Sequence, residues 1–113
     1  MTVEEDLKAN IKEFLASAEE DFNKGRYNAA ISSYFKAMAS ICDLEIYRAK
    51  RILPKNHAER FLFLETSFNE VYKIISKLFK DYTKTYNLRL SKKDAFLFKE
   101  NVKKIIELFK RKA

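Results

Sequence analysis

The sequence has almost no turn-forming residues, with one glycine, Gly25, and one proline, Pro54, in 113 residues. Folds built from many strands need frequent turns, and those turns usually contain Gly or Pro. We therefore expect a few long helices joined by short connections rather than a sheet. At this length the chain is predicted to form one domain over residues 1–113.

Soft metal ligands are equally scarce, since Cys42 and His57 are the only cysteine and histidine. A single cysteine forms no intrachain disulfide, and one Cys with one His provides too few ligands for a zinc site. There is also no Glu-x-x-His pair of the kind that builds a di-iron centre in a helical bundle. We predict no metal and no cofactor, and we expect Cys42 to pack as a small apolar side chain.

Long hydrophobic runs are absent too. No apolar stretch approaches the roughly 18 residues of a membrane span, and the acidic start VEEDLKANIKE is unlike a signal peptide. We expect no membrane partner and a soluble, cytoplasmic protein. The high lysine content is also typical of a thermophile.

Charge is distributed unevenly along the chain. Residues 1–25 hold three lysines and seven carboxylates, a balance of −4, so with a total of +7 the other 88 residues carry +11. This asymmetry favours an anionic partner for the later helices. The alternative is that the lysines only solvate the surface.

Apolar residues recur at steps of three and four in four segments, which predicts four amphipathic helices. The first ends at Gly25, the second runs from Tyr27 and fades between Tyr47 and Leu53, the third extends from Asn56 to Tyr82, and the fourth follows Ser91. Because the links are short, the prediction is an all-α fold, an antiparallel up-down-up-down four-helix bundle.

The helix ends carry their own signals. Gly25 suits the left-handed position that closes a helix. Asn56 with Glu59, and Ser91 with Asp94, have the spacing of a capping box at a helix N-terminus. We expect both pairs to start helices.

Seven apolar residues lie off the four stripes, and a monomer of this size would leave several of them exposed. They are Phe35, Leu44, Ile46, Leu62, Phe63, Phe96 and Leu97. We expect a homodimer that covers them through the flanks of the second to fourth helices. The alternative is a thick core that buries them within one chain.

Residues 14–37 resemble one helical hairpin of a tetratricopeptide repeat. The matching positions are Gly25, Tyr27, Ala30, Tyr34 and Ala37. No second copy follows at the repeat period of about 34 residues. The resemblance implies a protein-interaction module without nucleic-acid binding.

The chain as a whole resembles the HEPN family, the higher-eukaryote and prokaryote nucleotide-binding helical bundles. The resemblance is carried by the helix GRYNAAISSYFKAM, the loop PKNH, the link YTKTYNLRLS and a closing amphipathic helix. It implies a dimeric helical bundle, either a ribonuclease toxin paired with a nucleotidyltransferase-like antitoxin or a relative without activity.

The catalytic signature of that family is an arginine followed, after four to six residues, by a histidine. Arg51 and His57 have five residues between them and meet this count. The resemblance therefore implies a metal-independent endoribonuclease in which His57 acts as base or acid and Arg51 stabilises charge on the phosphate. Arg89 lies nearer the start of the last helix, where the family carries its signature.

Basic residues concentrate in thirteen positions between the second and third predicted helices. They are Arg48, Lys50, Arg51, Lys55, His57 and Arg60. Together with Arg89, they are the predicted nucleotide or RNA-binding residues, and Tyr47 and Tyr86 would offer stacking surfaces if exposed. We thus expect a binding or regulatory module for nucleotide or RNA, with the ribonuclease and the tetratricopeptide-like module as alternatives.

Overall fold

The computed structural model of the chain describes residues 2–112 and contains five helices in that range. They are α1 (Val3–Asn23), α2 (Tyr27–Lys50), α3 (His57–Ser67), α4 (Asn69–Lys84) and α5 (Lys92–Lys112). No strand occurs between residues 2 and 112, so the all-α prediction is confirmed. The predicted single domain spans residues 1–113, of which 1 and 113 lie outside the described residues.

Helices α1 and α2 form an antiparallel hairpin around Gly25. This glycine has φ of +79°, as predicted, and its N–H donates to the Phe22 carbonyl at 3.1 Å. The next N–H, of Arg26, donates to the Asp21 carbonyl at 2.8 Å, which completes a Schellman motif. The Arg48 guanidinium near the end of α2 donates to Glu4 at the start of α1 at 3.4 Å, so the two helices run in opposite directions.

The predicted third helix is wrong in one respect, because it is two helices that meet at Phe68. This residue has φ −140° and ψ 60°, outside the helical region. The Thr66 hydroxyl donates to two carbonyls of the preceding turn, at 3.1 Å each, and the Asn69 amide donates to the Glu65 carbonyl at 3.3 Å. Such side chains compete with the helical backbone bonds and bend helices. The break lets the Phe68 ring pack edge-on against Phe109 of α5, with centroids 5.1 Å apart.

Helix α2 lies at the centre of the fold and contacts each of the other four helices. Because it is surrounded, it buries residues on nearly every face, including Phe35, Leu44 and Ile46. For these three residues the thick-core alternative is confirmed, and they give no support to a dimer. Leu62, Phe96 and Leu97 stay exposed, at 59%, 50% and 48%, and Phe63 is half-buried.

Cys42 is fully buried in the core, as predicted, and burial raises the pKa of its thiol. None of the helices described here combines the length and the apolar character that crossing a bilayer requires.

Candidate functional site

The predicted basic cluster falls on the segment that joins α2 to α3, residues 48–60, which we call the α2–α3 corner. Helix α2 ends with Arg51 in the left-handed region, at φ 57°, and the Arg51 N–H donates to the Tyr47 carbonyl at 2.8 Å. Helix α3 begins after Asn56, whose side chain accepts from the Glu59 N–H at 2.8 Å, so the predicted N-cap is confirmed. The second half of the predicted capping box is wrong, because the Glu59 carboxylate accepts from the Lys55 N–H at 3.2 Å instead.

A buried ion pair holds α3 against α2 at this corner. Arg60 donates to both oxygens of Asp43, from Nε at 2.7 Å and from Nη2 at 2.9 Å. The Arg60 side chain is 11% exposed and that of Asp43 is 14% exposed. The two planar groups meet in the two-bond geometry that makes an arginine–carboxylate pair strong. The charge of Arg60 is therefore already neutralised within the chain.

His57 is the third member of this cluster. Its Nδ1 lies 2.8 Å from Arg60 Nη1 and accepts a hydrogen bond from it, which leaves the ring proton on Nε2. The ring packs among Phe35, Phe61 and Phe79, at centroid distances of 5.9, 6.2 and 5.0 Å. Burial lowers the pKa of His57, and the Arg60 cation lowers it further, while Asp43 acts in the opposite direction. His57 is therefore a neutral ring that completes the packing between α2, α3 and α4.

Arg51 has different surroundings. Its guanidinium carbon lies 5.4 Å from the centroid of the Tyr47 ring. Together with Tyr47 and the first residues of α1 it lines an open groove of about 370 Å³. Arg51 contacts the Tyr47 ring, whereas His57 is hydrogen-bonded to Arg60, so these contacts of the two residues have no partner in common. The sequence had placed Arg60 only among the phosphate-binding candidates.

Of the remaining cations of the corner, one arginine is in ion pairs and two lysines are exposed to solvent. Arg48 is paired with Glu45 of its own helix at 3.1 Å and with Glu4 of α1 at 3.4 Å. Lys50 and Lys55 are exposed. Much of the positive charge of the corner is therefore compensated by four carboxylates, those of Glu4 in α1, Asp43 and Glu45 in α2, and Glu59 in α3.

The predicted binding residue Arg89 lies on the segment that joins α4 to α5, residues 85–91, which we call the α4–α5 connection. Asn28, in the first turn of α2, fixes its path with three hydrogen bonds. The side-chain amide donates to the carbonyls of Thr85 at 3.3 Å and Leu88 at 2.6 Å, and its oxygen accepts from the Leu90 N–H at 2.9 Å. The N–H groups of residues 85–88 bond to carbonyls in the last turn of α4, and Asn28 supplies partners for the Thr85 and Leu88 carbonyls and for the Leu90 N–H.

The α4–α5 connection presents an aromatic ring and a cation to solvent. Tyr86 is 76% exposed, and Arg89 is exposed as well. The hydroxyls of Tyr86 and Tyr82 lie 3.1 Å apart, and this hydrogen bond, with burial, raises the pKa of Tyr82 to about 12. Tyr82 in turn stacks on the buried Phe35 at 4.5 Å between centroids. Tyr86 is therefore exposed to solvent and is connected to the aromatic core through Tyr82.

The connection leads directly into a basic helix start. The Ser91 N–H donates to the Asp94 carboxylate at 2.9 Å and the Asp94 N–H donates to the Ser91 hydroxyl at 3.2 Å, so the predicted capping box is confirmed. The hydrogen bonds from Ser91 hold the pKa of Asp94 below its usual value. Arg89 and Lys92 form no ion pair with any side chain described here, unlike Arg48 and Arg60 of the corner.

Sequence reasoning identified Tyr86 and Arg89 and missed Asn28, Asp43 and the role of Arg60. Asn28 and Asp43 lie within helical segments whose periodicity says nothing about a distant partner. In the described part of the chain no three His, Cys, Asp or Glu side chains cluster in a way that would hold a metal. Comparison with protein-family models, with curated proteins and with solved structures gave no match to this chain.

Proposed function

We propose that this chain is a HEPN-like helical binding module and that it binds RNA at the α4–α5 connection. The proposal rests on one observation, the 76% exposure of Tyr86 in a segment that Asn28 holds in place. An exposed aromatic ring stacks on a nucleic-acid base, and an adjacent unpaired cation neutralises a phosphate. Tyr86 would supply the first and Arg89 with Lys92 the second.

The α2–α3 corner has a smaller part in this proposal. Arg60 and Arg48 are compensated by carboxylates, and His57 is neutral, which leaves Lys50, Arg51 and Lys55 to contribute to a basic surface. The engagement of His57 with Arg60, rather than with Arg51, favours binding without catalysis.

The proposed architecture is the up-down-up-down bundle, with the bent pair α3 and α4 as its third rod. The central position of α2 and the short links are what support it. The homodimer stays a prediction, made from the apolar residues off the helical stripes and from the family resemblance. The nucleotidyltransferase-like partner and the pairing as toxin and antitoxin stay predictions from the resemblance.

The experiment is a binding titration of the full chain with a fluorescently labelled single-stranded RNA oligonucleotide, followed by anisotropy at 50 to 300 mM salt. We expect affinity to fall steeply with salt. Tyr86→Ala should weaken binding about 5- to 100-fold, since stacking contributes roughly 1–3 kcal/mol per base. Arg89→Gln should reduce the slope of log affinity against log salt by about 0.7, the value for one phosphate of a single strand.

The matched controls lie at the α2–α3 corner. Tyr47→Ala and Lys55→Gln likewise remove one tyrosine ring and one positive charge, and they should change affinity and slope much less. Absence of binding at 50 mM salt, or equal losses in both sets of variants, would refute the proposal. Cleavage of the oligonucleotide by the wild-type chain, lost in His57→Ala, would favour the ribonuclease alternative instead.

A further inference from the structure

A groove between α4 and α5 leaves apolar side chains in solvent. Its floor is formed by Ile74, Leu78 and Leu97, and its volume is about 250 Å³. A second depression on α5 shares Leu97 and adds Phe96. Phe96 and Leu97 are 50% and 48% exposed, so the two depressions form one apolar strip, which we call the α4–α5 groove. A strip of this kind is unfavourable in water unless something covers it.

The charge around the α4–α5 groove is positive once internal pairs are taken into account. Of the carboxylates at its edge, Asp81 is paired with Lys84 at 3.1 Å and Glu100 with Lys103 at 3.2 Å. The third, Asp94, accepts two hydrogen bonds from Ser91, at 2.9 Å each.

The lysines at the edge have no such partners. Lys73 and Lys77 stand one turn apart on α4, and Lys93 stands at the start of α5. None of the three forms an ion pair with a side chain in the described range. The surface therefore combines an apolar floor with a rim on which three lysines without ion pairs outnumber Asp94, the one carboxylate of the rim without an ion pair in this range.

We propose that the α4–α5 groove binds an acidic amphipathic helix of another protein. Such a helix places large apolar side chains at three- and four-residue spacing into a groove, and its flanking carboxylates meet the lysines. The larger apolar area, which Ile74, Leu97 and Phe96 provide, distinguishes this surface from the α4–α5 connection, where a single aromatic ring and an arginine suit a base and a phosphate. The inference does not depend on RNA binding.

A second copy of this chain fits the α4–α5 groove poorly. Two identical grooves facing each other across a two-fold axis would bring together two surfaces that each carry net positive charge. The acidic helix of a second copy, α1, turns Ile11, Leu15 and Phe22 toward its own core. Its exposed face carries Ala9 and Ala16, which are too small to fill the groove.

The test uses a labelled synthetic helical peptide of leucine and glutamate, with leucines at heptad spacing, and a lysine-for-glutamate version of the same peptide. We expect saturable binding of the glutamate peptide, at least tenfold tighter than that of the lysine peptide. In the NMR spectrum of the isotope-labelled chain, amide shifts should be confined to α4 and α5.

Two variants locate the site. Leu97→Asp should reduce affinity for the glutamate peptide at least tenfold, whereas Leu62→Asp, at another exposed leucine, on α3, should leave it within twofold. Leu97→Ser removes the leucine without adding a charge, and circular dichroism of both Leu97 variants shows whether a loss of affinity is caused by unfolding. Lys73→Glu together with Lys77→Glu should reverse the preference toward the lysine peptide.

Several results would overturn the inference. The first is equal affinity for the two peptides, and the second is peptide affinity that Leu97→Asp does not change. The third is that phosphatidylserine vesicles bind in a way that depends on Leu97 while the glutamate peptide does not bind. A dimer in sedimentation that Leu97→Asp dissociates would assign the groove to a second copy. RNA binding that is unchanged in Leu97→Asp would show that the two surfaces are separate.

Discussion

The α2–α3 corner and the α4–α5 connection both join helices and both contain arginine predicted to bind phosphate, but the surroundings of these arginines are opposite. At the corner, Arg60 lies between Asp43 and His57, and Arg48 lies between Glu4 and Glu45. At the connection, Arg89 has no ion pair among the described residues and the neighbouring Tyr86 is exposed.

The difference shows that local density of basic residues is a weak guide to a binding surface. A guanidinium paired with a carboxylate in a nearly dry environment stabilises the fold, and releasing it for a ligand would leave a buried charge behind. A cation without an ion-pair partner remains able to attract an external anion. Four variants test whether the two segments differ as described.

The largest effect is expected from Asp43→Asn. Removing this charge leaves Arg60, which is 11% exposed, without its carboxylate, and the free energy of unfolding should fall by about 2–4 kcal/mol. Urea denaturation followed by circular dichroism measures it. The control is Asp81→Asn, whose pair with Lys84 is exposed and should contribute no more than about 0.5 kcal/mol. Similar losses for both variants would mean that the corner cations are not held more firmly than surface ones.

A smaller loss is expected for Asn28→Ala at the other segment. Three hydrogen bonds to the α4–α5 connection are removed, and water replaces part of them, so the free energy of unfolding should fall by about 1–2 kcal/mol. Hydrogen exchange of the Leu90 amide should become faster. Asn10→Ala, at an exposed position of α1, controls for the gain in helix propensity. Unchanged exchange at Leu90 would show that the connection keeps its path without Asn28.

Arg51→Gly should stabilise the chain by about 0.5–1 kcal/mol. The residue has φ 57°, which glycine adopts without steric cost, and this gain exceeds the lost contact with the Tyr47 ring. Thermal or urea unfolding midpoints measure the change. Arg51→Ala is the control, because it loses the ring contact and keeps the strained backbone. If glycine were no more stable than alanine, the left-handed conformation would not be a source of strain at this corner.

The smallest effect concerns His57 and pH. The pKa of His57 is lowered in the folded chain by burial and by Arg60, with Asp43 opposing, so the unfolded chain takes up the proton first as pH falls below about 6.5. Stability should therefore decrease as pH falls through 6.5 and level off once the folded form is also protonated. His57→Gln should remove this decrease, so its stability should be independent of pH around 6.5, although the lost packing of the ring lowers stability at every pH. A wild-type curve that rises on acidification would mean that Asp43, rather than Arg60, dominates the field at the ring.

Most helix ends followed from the sequence. Gly25, the proline before Asn56, and the pair Ser91 and Asp94 act on residues within four positions of themselves, so their effects are local. The break at Phe68 did not follow, because the polar residues beside it are compatible with a continuous helix until Phe68 packs against Phe109. The same holds for the candidate site. The sequence identified Tyr86 and Arg89 by their residue types, but it did not show that both side chains are exposed.

The sequence by itself determined that this chain is helical, where most of the helices begin and end, and that positive charge accumulates after residue 25. Only the tertiary structure decided which cations are neutralised, since Arg60 meets Asp43 from 17 positions away and Asn28 reaches the connection from 57 to 62 positions away. The physical reason is that helix formation depends on neighbours in the chain. The pairing of charged and polar groups depends on the angle and register at which helices pack, and no short segment encodes these.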